Sequence, residues 1–180
     1  MKALLIDTET TGLIFNHSIT LDHQPEVIEF YGCLASLVTG KISHELNVLI
    51  KPSNYPMTEA LMAECKTKLD NEMLADASSF KYEASGIKQM IENAPVVIAH
   101  NASFDKEMLD IEYERLKMKV KWPPLICTIE QTIHIKGYRL SLTNLHIELF
   151  KEPFPEAHRA RADVMALLRI CKELYRMELL

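Results

Sequence analysis

Four carboxylates and one histidine stand at the ends of apolar runs: Asp7 and Glu9 in LLIDTETTGL, Asp105 in VIAHNASFD, and His158 and Asp163 in EAHRARADV. Acids beside core-forming segments are costly unless positive charge sits among them. Oxygen donors of this kind suit hard divalent cations, and the expected occupants are two ions, Mg²⁺ or Mn²⁺. Such a pair, with an imidazole beside it, can activate water against a phosphodiester.

The spacings say how these groups could meet. Asp7 and Glu9 are two apart, and on a strand residues i and i+2 face one side with Cα atoms ~6.6 Å apart. Asp105 closes PVVIAHNASFD, where a buried strand runs through a loop into a helix; an acid there also suits the helix macrodipole. His100 and Asn101 read as polar groups holding that loop by hydrogen bonds. Leu167, Ile170 and Leu174 follow Asp163 at helical spacing, which puts this acid on the core-facing stripe near a helix start. A solvated role fits poorly there and a metal ligand fits well. His158 falls just ahead of that helix, and an unperturbed imidazole pKa of ~6.5 suits a general base. Arg159 and Arg161 flank it, either meeting phosphates or simply solvated.

The rest of the chain must position these groups. ALLID is a short strand feeding the Thr10-Thr11-Gly12 turn, and residues 14–25 read as an irregular polar loop. EVIEFYGCLASLV and KISHELNVLIKP form two strand-like runs joined at Thr39-Gly40, an antiparallel hairpin. Residues 57–93 read as helix with breaks, best over SSFKYEASGIKQMIENA. PVVIA is a buried strand, a helix follows from about Ser103, Pro123-Pro124 breaks the chain, and two short helices flank Gly137. The last helix spans roughly 159–177. Strands first, then alternation of strand and helix, predict an α/β fold with a mixed sheet and flanking helices.

Composition fits one domain over residues 1–180 with a sizeable core. The 25 acidic and 20 basic residues leave a net charge of −5, which argues against passive nucleic-acid binding but not against a metal-dependent nuclease. No apolar run is long enough to span a bilayer, the N-terminus lacks a signal peptide's apolar region, and no membrane role is expected. The four cysteines are dispersed with no C-x-x-C pair, and read as reduced thiols of a cytoplasmic protein. Lys117, Lys119 and Lys121 form either a basic rim or a solvated run.

Taken together, Asp7-Thr8-Glu9-Thr10-Thr11-Gly12, His100-Asn101-Ala102-Ser103-Phe104-Asp105 and His158-x₄-Asp163 resemble the DEDDh 3′–5′ exonucleases, in particular the proofreading epsilon-type domain of bacterial DNA polymerase III. Weaker similarity runs through PEVIEF, DNEMLADASSF and SLTNL, so the likeness covers nearly the whole chain. It implies a ribonuclease H-like fold, metal ligation by Asp7, Glu9, Asp105 and Asp163, and a general base at His158. By the same resemblance Thr10, Thr11, Gly12 and Asn101 border the 3′-terminal nucleotide. The implied reaction releases 5′-mononucleotides from a single-stranded nucleic-acid 3′ end, DNA ahead of RNA, with a polymerase or other replication protein as partner. The alternatives are an exoribonuclease acting on RNA ends or short oligoribonucleotides and, behind it, a non-catalytic docking module. Two departures bear on substrate: residues 14–25 are longer than in compact bacterial members, and the stretch after Glu59 lacks the usual H-G-I-T-like sequence.

Overall fold

The computed structural model describes every residue of the 180 except 16–18 and 54–55. Five strands form one sheet in the order β3-β2-β1-β4-β5. Central β1 (Lys2–Thr10) pairs antiparallel with β2 (Val27–Ser36), which pairs antiparallel with β3 (Ile42–Leu49). On its other side β1 pairs parallel with β4 (Val97–Ala99), and β4 with β5 (Leu125–Cys127). The mixed sheet and its antiparallel hairpin are therefore as the sequence predicts, with Gly40 taking φ +76° at the turn, a conformation open to glycine at no steric cost.

Alternation along β1 sorts the core. Leu4 and Ile6 face a cluster with Phe30, Ile87, Ile91, Met108 and Leu109, built from α2 (Phe80–Glu92) and α3 (Ala102–Arg115). Ala3 and Leu5 face the opposite cluster with Tyr31, Cys33, Val164, Leu167 and Cys171, built from α6 (Ala160–Arg176). The period of two continues past the apolar residues, so Asp7 and Glu9 share the α6 face while Thr8 faces α3.

The smaller elements close the ends. Short α1 (Glu59–Cys65) begins where the Thr58 hydroxyl accepts from the Leu61 N–H at 3.2 Å, and Met57, Leu69 and Leu74 seat its segment against Ile28. Between α1 and α2 the chain is irregular rather than helical. α4 (Thr128–Lys136) and α5 (Leu142–Phe150) flank Gly137. Two local expectations change. Of the 14–25 segment, 16–18 lie outside the described residues; the remainder holds a 3₁₀ turn at Leu21–His23, and Arg115 binds that turn down through the carbonyls of Leu21, Gln24 and Pro25. Strand β5 sits where only a break at Pro123-Pro124 was expected; three residues are too few to carry a sequence period. The lysine run leads into the N-terminal ends of β4 and β5. There the Lys119 carbonyl accepts from Lys88 at 2.7 Å and the Lys121 N–H donates to Glu92 at 2.8 Å. It packs on α2, at the end of the sheet away from the acids.

Candidate active site

The C-terminal ends of β1 and β4 lie where the chain, having built β2 and β3 on one side of β1, returns to the other. Open α/β sheets place their crevices at such reversals. Here a cavity of about 400 Å³ is lined by Asp7, Glu9, Thr10, Gly12, Asn101, Asp105, His158 and Asp163 among others. Of the site residues that the resemblance implies, only Thr11 is missing from its wall; Arg159 and Arg161 also lie outside it. Thr11 is buried, its hydroxyl accepting from the Glu26 N–H at 2.9 Å, so its side chain fixes the turn rather than facing the cavity.

Oxygen atoms of Asp7, Glu9 and Asp163 lie within 4.8 Å of one another. β1 supplies two of them from one face, and the first turn of α6 supplies the third. Asp105 reaches the same cavity from the first turn of α3 but stands outside that tight group. Its Oδ1 accepts from the Thr8 N–H at 3.0 Å and the Thr8 hydroxyl at 2.9 Å, tying α3 to the strand that bears Asp7 and Glu9.

The cluster is electrostatically incomplete. Burial, then Asp105, Asp163 and Glu9 push the Asp7 carboxyl well above the usual carboxylate range. Burial and the charge of Asp163 raise Glu9 to about 8. Burial raises Asp105 to about 7 against the opposing bonds from Thr8, and Asp163 rises to about 6. Asp163 Oδ1 is buried with no hydrogen-bond partner, a rare state for such an atom. Clustered oxygens, raised pKa values and an unpartnered buried oxygen all fit divalent cations, which favour oxygen ligands and the ionised carboxylates.

His158 takes φ +69° ahead of α6, and its N–H donates to Asp163 Oδ2 at 3.2 Å. Desolvation, then Lys66 and Lys68, hold its imidazole pKa below the ordinary value, so the ring is neutral near pH 7. His100 does different work. It contacts the Thr128 hydroxyl at 2.9 Å and the Leu140 carbonyl at 3.1 Å, and burial lowers it to about 4; it braces the loop, as the sequence indicated. Asn101, at φ +78°, accepts from Arg139 at 3.0 Å. Thr10 donates to the Gly12 carbonyl at 2.8 Å, shaping the turn that carries exposed Leu13 along the cavity edge.

One central residue escaped the sequence reading. Glu29 is fully buried and sits directly across from Glu9 in the β1–β2 register. Two like charges so placed repel. Arg159 resolves the clash: its guanidinium donates to both Glu29 oxygens at 3.1 and 3.0 Å, and the Ala160 N–H adds a third bond at 3.0 Å. Arg159 is thus committed to Glu29, not to phosphate, and the pair anchors the start of α6. A glutamate inside the apolar run VIEFYG was the available signal.

The sequence matches the family of exonucleases over residues 4–171. It is 28% identical over 134 residues to the DNA polymerase III subunit epsilon of Haemophilus influenzae, covering 74% of this chain and 49% of that protein. The chain thus spans about half the length of that relative. In structure it resembles the nuclease domain of 3′hExo, a DEDDh family member bound to rAMP, with TM-score 0.76, 16% identity, and 98% and 92% of the two chains covered. It also resembles exonuclease X in complex with 5′ overhanging duplex DNA, with TM-score 0.69, 21% identity, and 97% and 92% covered.

Proposed function

The chain belongs to the exonuclease family, and we propose that it is a DEDDh 3′–5′ enzyme that hydrolyses single-stranded nucleic acid from the 3′ end, DNA ahead of RNA, releasing 5′-mononucleotides. The carrying observation is the convergence of Asp7, Glu9 and Asp163 within 4.8 Å, one oxygen of Asp163 lacking a partner, beside a neutral imidazole.

We assign Asp7, Glu9, Asp105 and Asp163 as the residues that hold two Mg²⁺ or Mn²⁺ ions. When bound, such ions neutralise phosphate charge and acidify the attacking water. Everything else falls to the protein. His158 takes the water's proton as the new P–O bond forms opposite the leaving 3′ oxygen. The bond from phosphorus to the 3′ oxygen breaks and that oxygen takes a proton from solvent, becoming the 3′-hydroxyl of a strand one unit shorter, while the imidazolium returns its own proton to solvent. Glu29 and Arg159 hold His158 and Asp163 over the β1 acids. Thr8 orients Asp105. Thr10, Gly12 and Asn101 border the terminal nucleotide, and Leu13 offers its base an apolar contact.

A second reading, exoribonuclease action, draws support from the fold neighbour bound to rAMP. The epsilon relative supports a polymerase subunit as partner. Four free cysteines support a reducing, cytoplasmic setting; among the described residues no helix is long and apolar enough to cross a membrane. The test is a panel of labelled single-stranded DNA, duplex DNA and RNA with Mg²⁺, Mn²⁺ or chelator, products sized and identified. Stepwise loss of 5′-mononucleotides from the 3′ end is expected. Cleavage that persists undiminished in chelator would refute the site.

A further inference from the structure

An acidic cavity that must accept a polyanion needs cations on its rim; of the two candidates flanking His158 in the sequence, Arg161 is absent from the cavity wall and its charge bears on Tyr31 instead. Arg159 is bound to Glu29. Arg139, in the connection between α4 and α5, stands outside the cavity wall and donates to Asn101. Lys66 and Lys68 remain. Lys66 lines the cavity from the end of α1, and the charges of both lysines bear on His158, that of Lys68 also on Asp163. Both are exposed, and among the described residues neither has an ion-pair partner, whereas Lys88, Lys106 and Lys136 do.

Their placement is built, not incidental. Lys66 takes φ +57° as it ends α1, a left-handed conformation that neighbouring contacts must hold in place. Thr67 between them is buried and its side chain bonds to Glu9. Its hydroxyl also accepts from the N–H of fully buried Leu69 at 3.3 Å. With 67 and 69 pinned inward, 66 and 68 are presented outward, at a distance from the acids fixed through Glu9 itself.

We propose that Lys66 and Lys68 form a two-pronged clamp for the backbone phosphates of the strand being cut. The clamp rests on the exonuclease reading and deepens it. It sets substrate affinity and its salt dependence, and it stands where this chain departs from the H-G-I-T-like sequence of the proofreading subunits. Ammonium groups contact phosphate without reading base or sugar, so the clamp favours any strand with successive phosphates over an isolated nucleotide diester.

The experiment compares the wild type with Lys66→Gln/Lys68→Gln and Lys66→Arg/Lys68→Arg, with Lys119→Gln/Lys121→Gln as the control at the far end of the sheet. KM and kcat on a short labelled single strand are measured across a salt series. Strand binding is measured separately by fluorescence anisotropy, with His158→Ala added to every variant and chelator present so that cutting is suppressed. Removing two phosphate contacts should raise KM and Kd about 20-fold and lower the log–log salt slope by about 1.4, from ~0.7 per contact on single strands. The arginine pair should restore both, and the control should match the wild type. If the wild type cleaves but the glutamine pair keeps its KM and salt slope, the clamp is wrong and the exonuclease reading stands. If the wild type binds strands through these lysines yet never cleaves them, the exonuclease reading fails and the clamp stands.

Discussion

Glu9→Gln should stabilise the metal-free protein while abolishing its chemistry. The Glu9 carboxyl is 7% exposed, and its pKa rises from 4.5 to about 8 on folding. A folded-state pKa raised in this way means the native chain binds the extra proton. Unfolding free energy is then highest below the unfolded pKa of 4.5 and falls as pH climbs towards about 8. Near pH 7 the penalty is about 3 kcal/mol at most, from ~1.4 kcal/mol per pH step. Glutamine keeps the shape and accepts the Thr67 bond, but has no proton to lose. In chelator near pH 7 the variant should therefore melt about 5–10 °C above wild type, and the gap should close near pH 4. Saturating Mg²⁺ should reverse the order, because ligation at ~1,000-fold the dissociation constant adds about 4.1 kcal/mol to the form that binds, more than the deficit, and the variant has lost one ligand. The assay is a thermal melt over pH, with chelator and with Mg²⁺. Equal melting points in chelator at about pH 5 and pH 8 for the wild type, or equal Mg²⁺ gains in both proteins, would refute the reasoning.

Other outcomes follow from the same geometry. Asp7→Ala and Asp163→Ala should each remove nearly all metal-dependent cleavage, at least ~10³-fold, with the circular dichroism of the fold retained; robust hydrolysis by either variant contradicts the ligand assignment. His158→Ala should bind metal normally yet lose most turnover. In the wild type, kcat/KM should rise on an acidic limb below the ordinary histidine pKa of 6.5 and level off above it, since a lowered pKa keeps the base neutral; the limb should vanish in the variant. Glu29→Ala should lower the urea-derived stability by about 3 kcal/mol, the lower end for breaking a buried ion pair, because Arg159 is about a third exposed. An unchanged urea midpoint counts against its anchoring role.

Much of this was legible because the physics is local. The D-x-E pair needs only the period of a strand, and Asp163 betrays itself by sharing a stripe with Leu167, Ile170 and Leu174. Glu29 was harder for the opposite reason: the apolar run VIEFYG flags it, but its justification lies in Arg159, 130 positions away. Arg159 was misplaced by the same omission. Thr8 lay inside a recognised motif, but its bond to Asp105, 97 positions on, depends on which face of β1 meets α3. Strand β5 and the seating of Lys66–Thr67–Lys68 are set by tertiary contacts, and their residues carry no period of their own.

The acids on β1 are synthesised early, whereas His158 stands just ahead of α6 and Asp163 in its first turn. A nascent chain in which α6 has not yet docked holds Asp7, Glu9 and Asp105 but neither Asp163 nor a seated His158. The Glu29–Arg159 latch is the contact that brings the missing acid and imidazole into place, so assembly of the site waits on the packing of one helix.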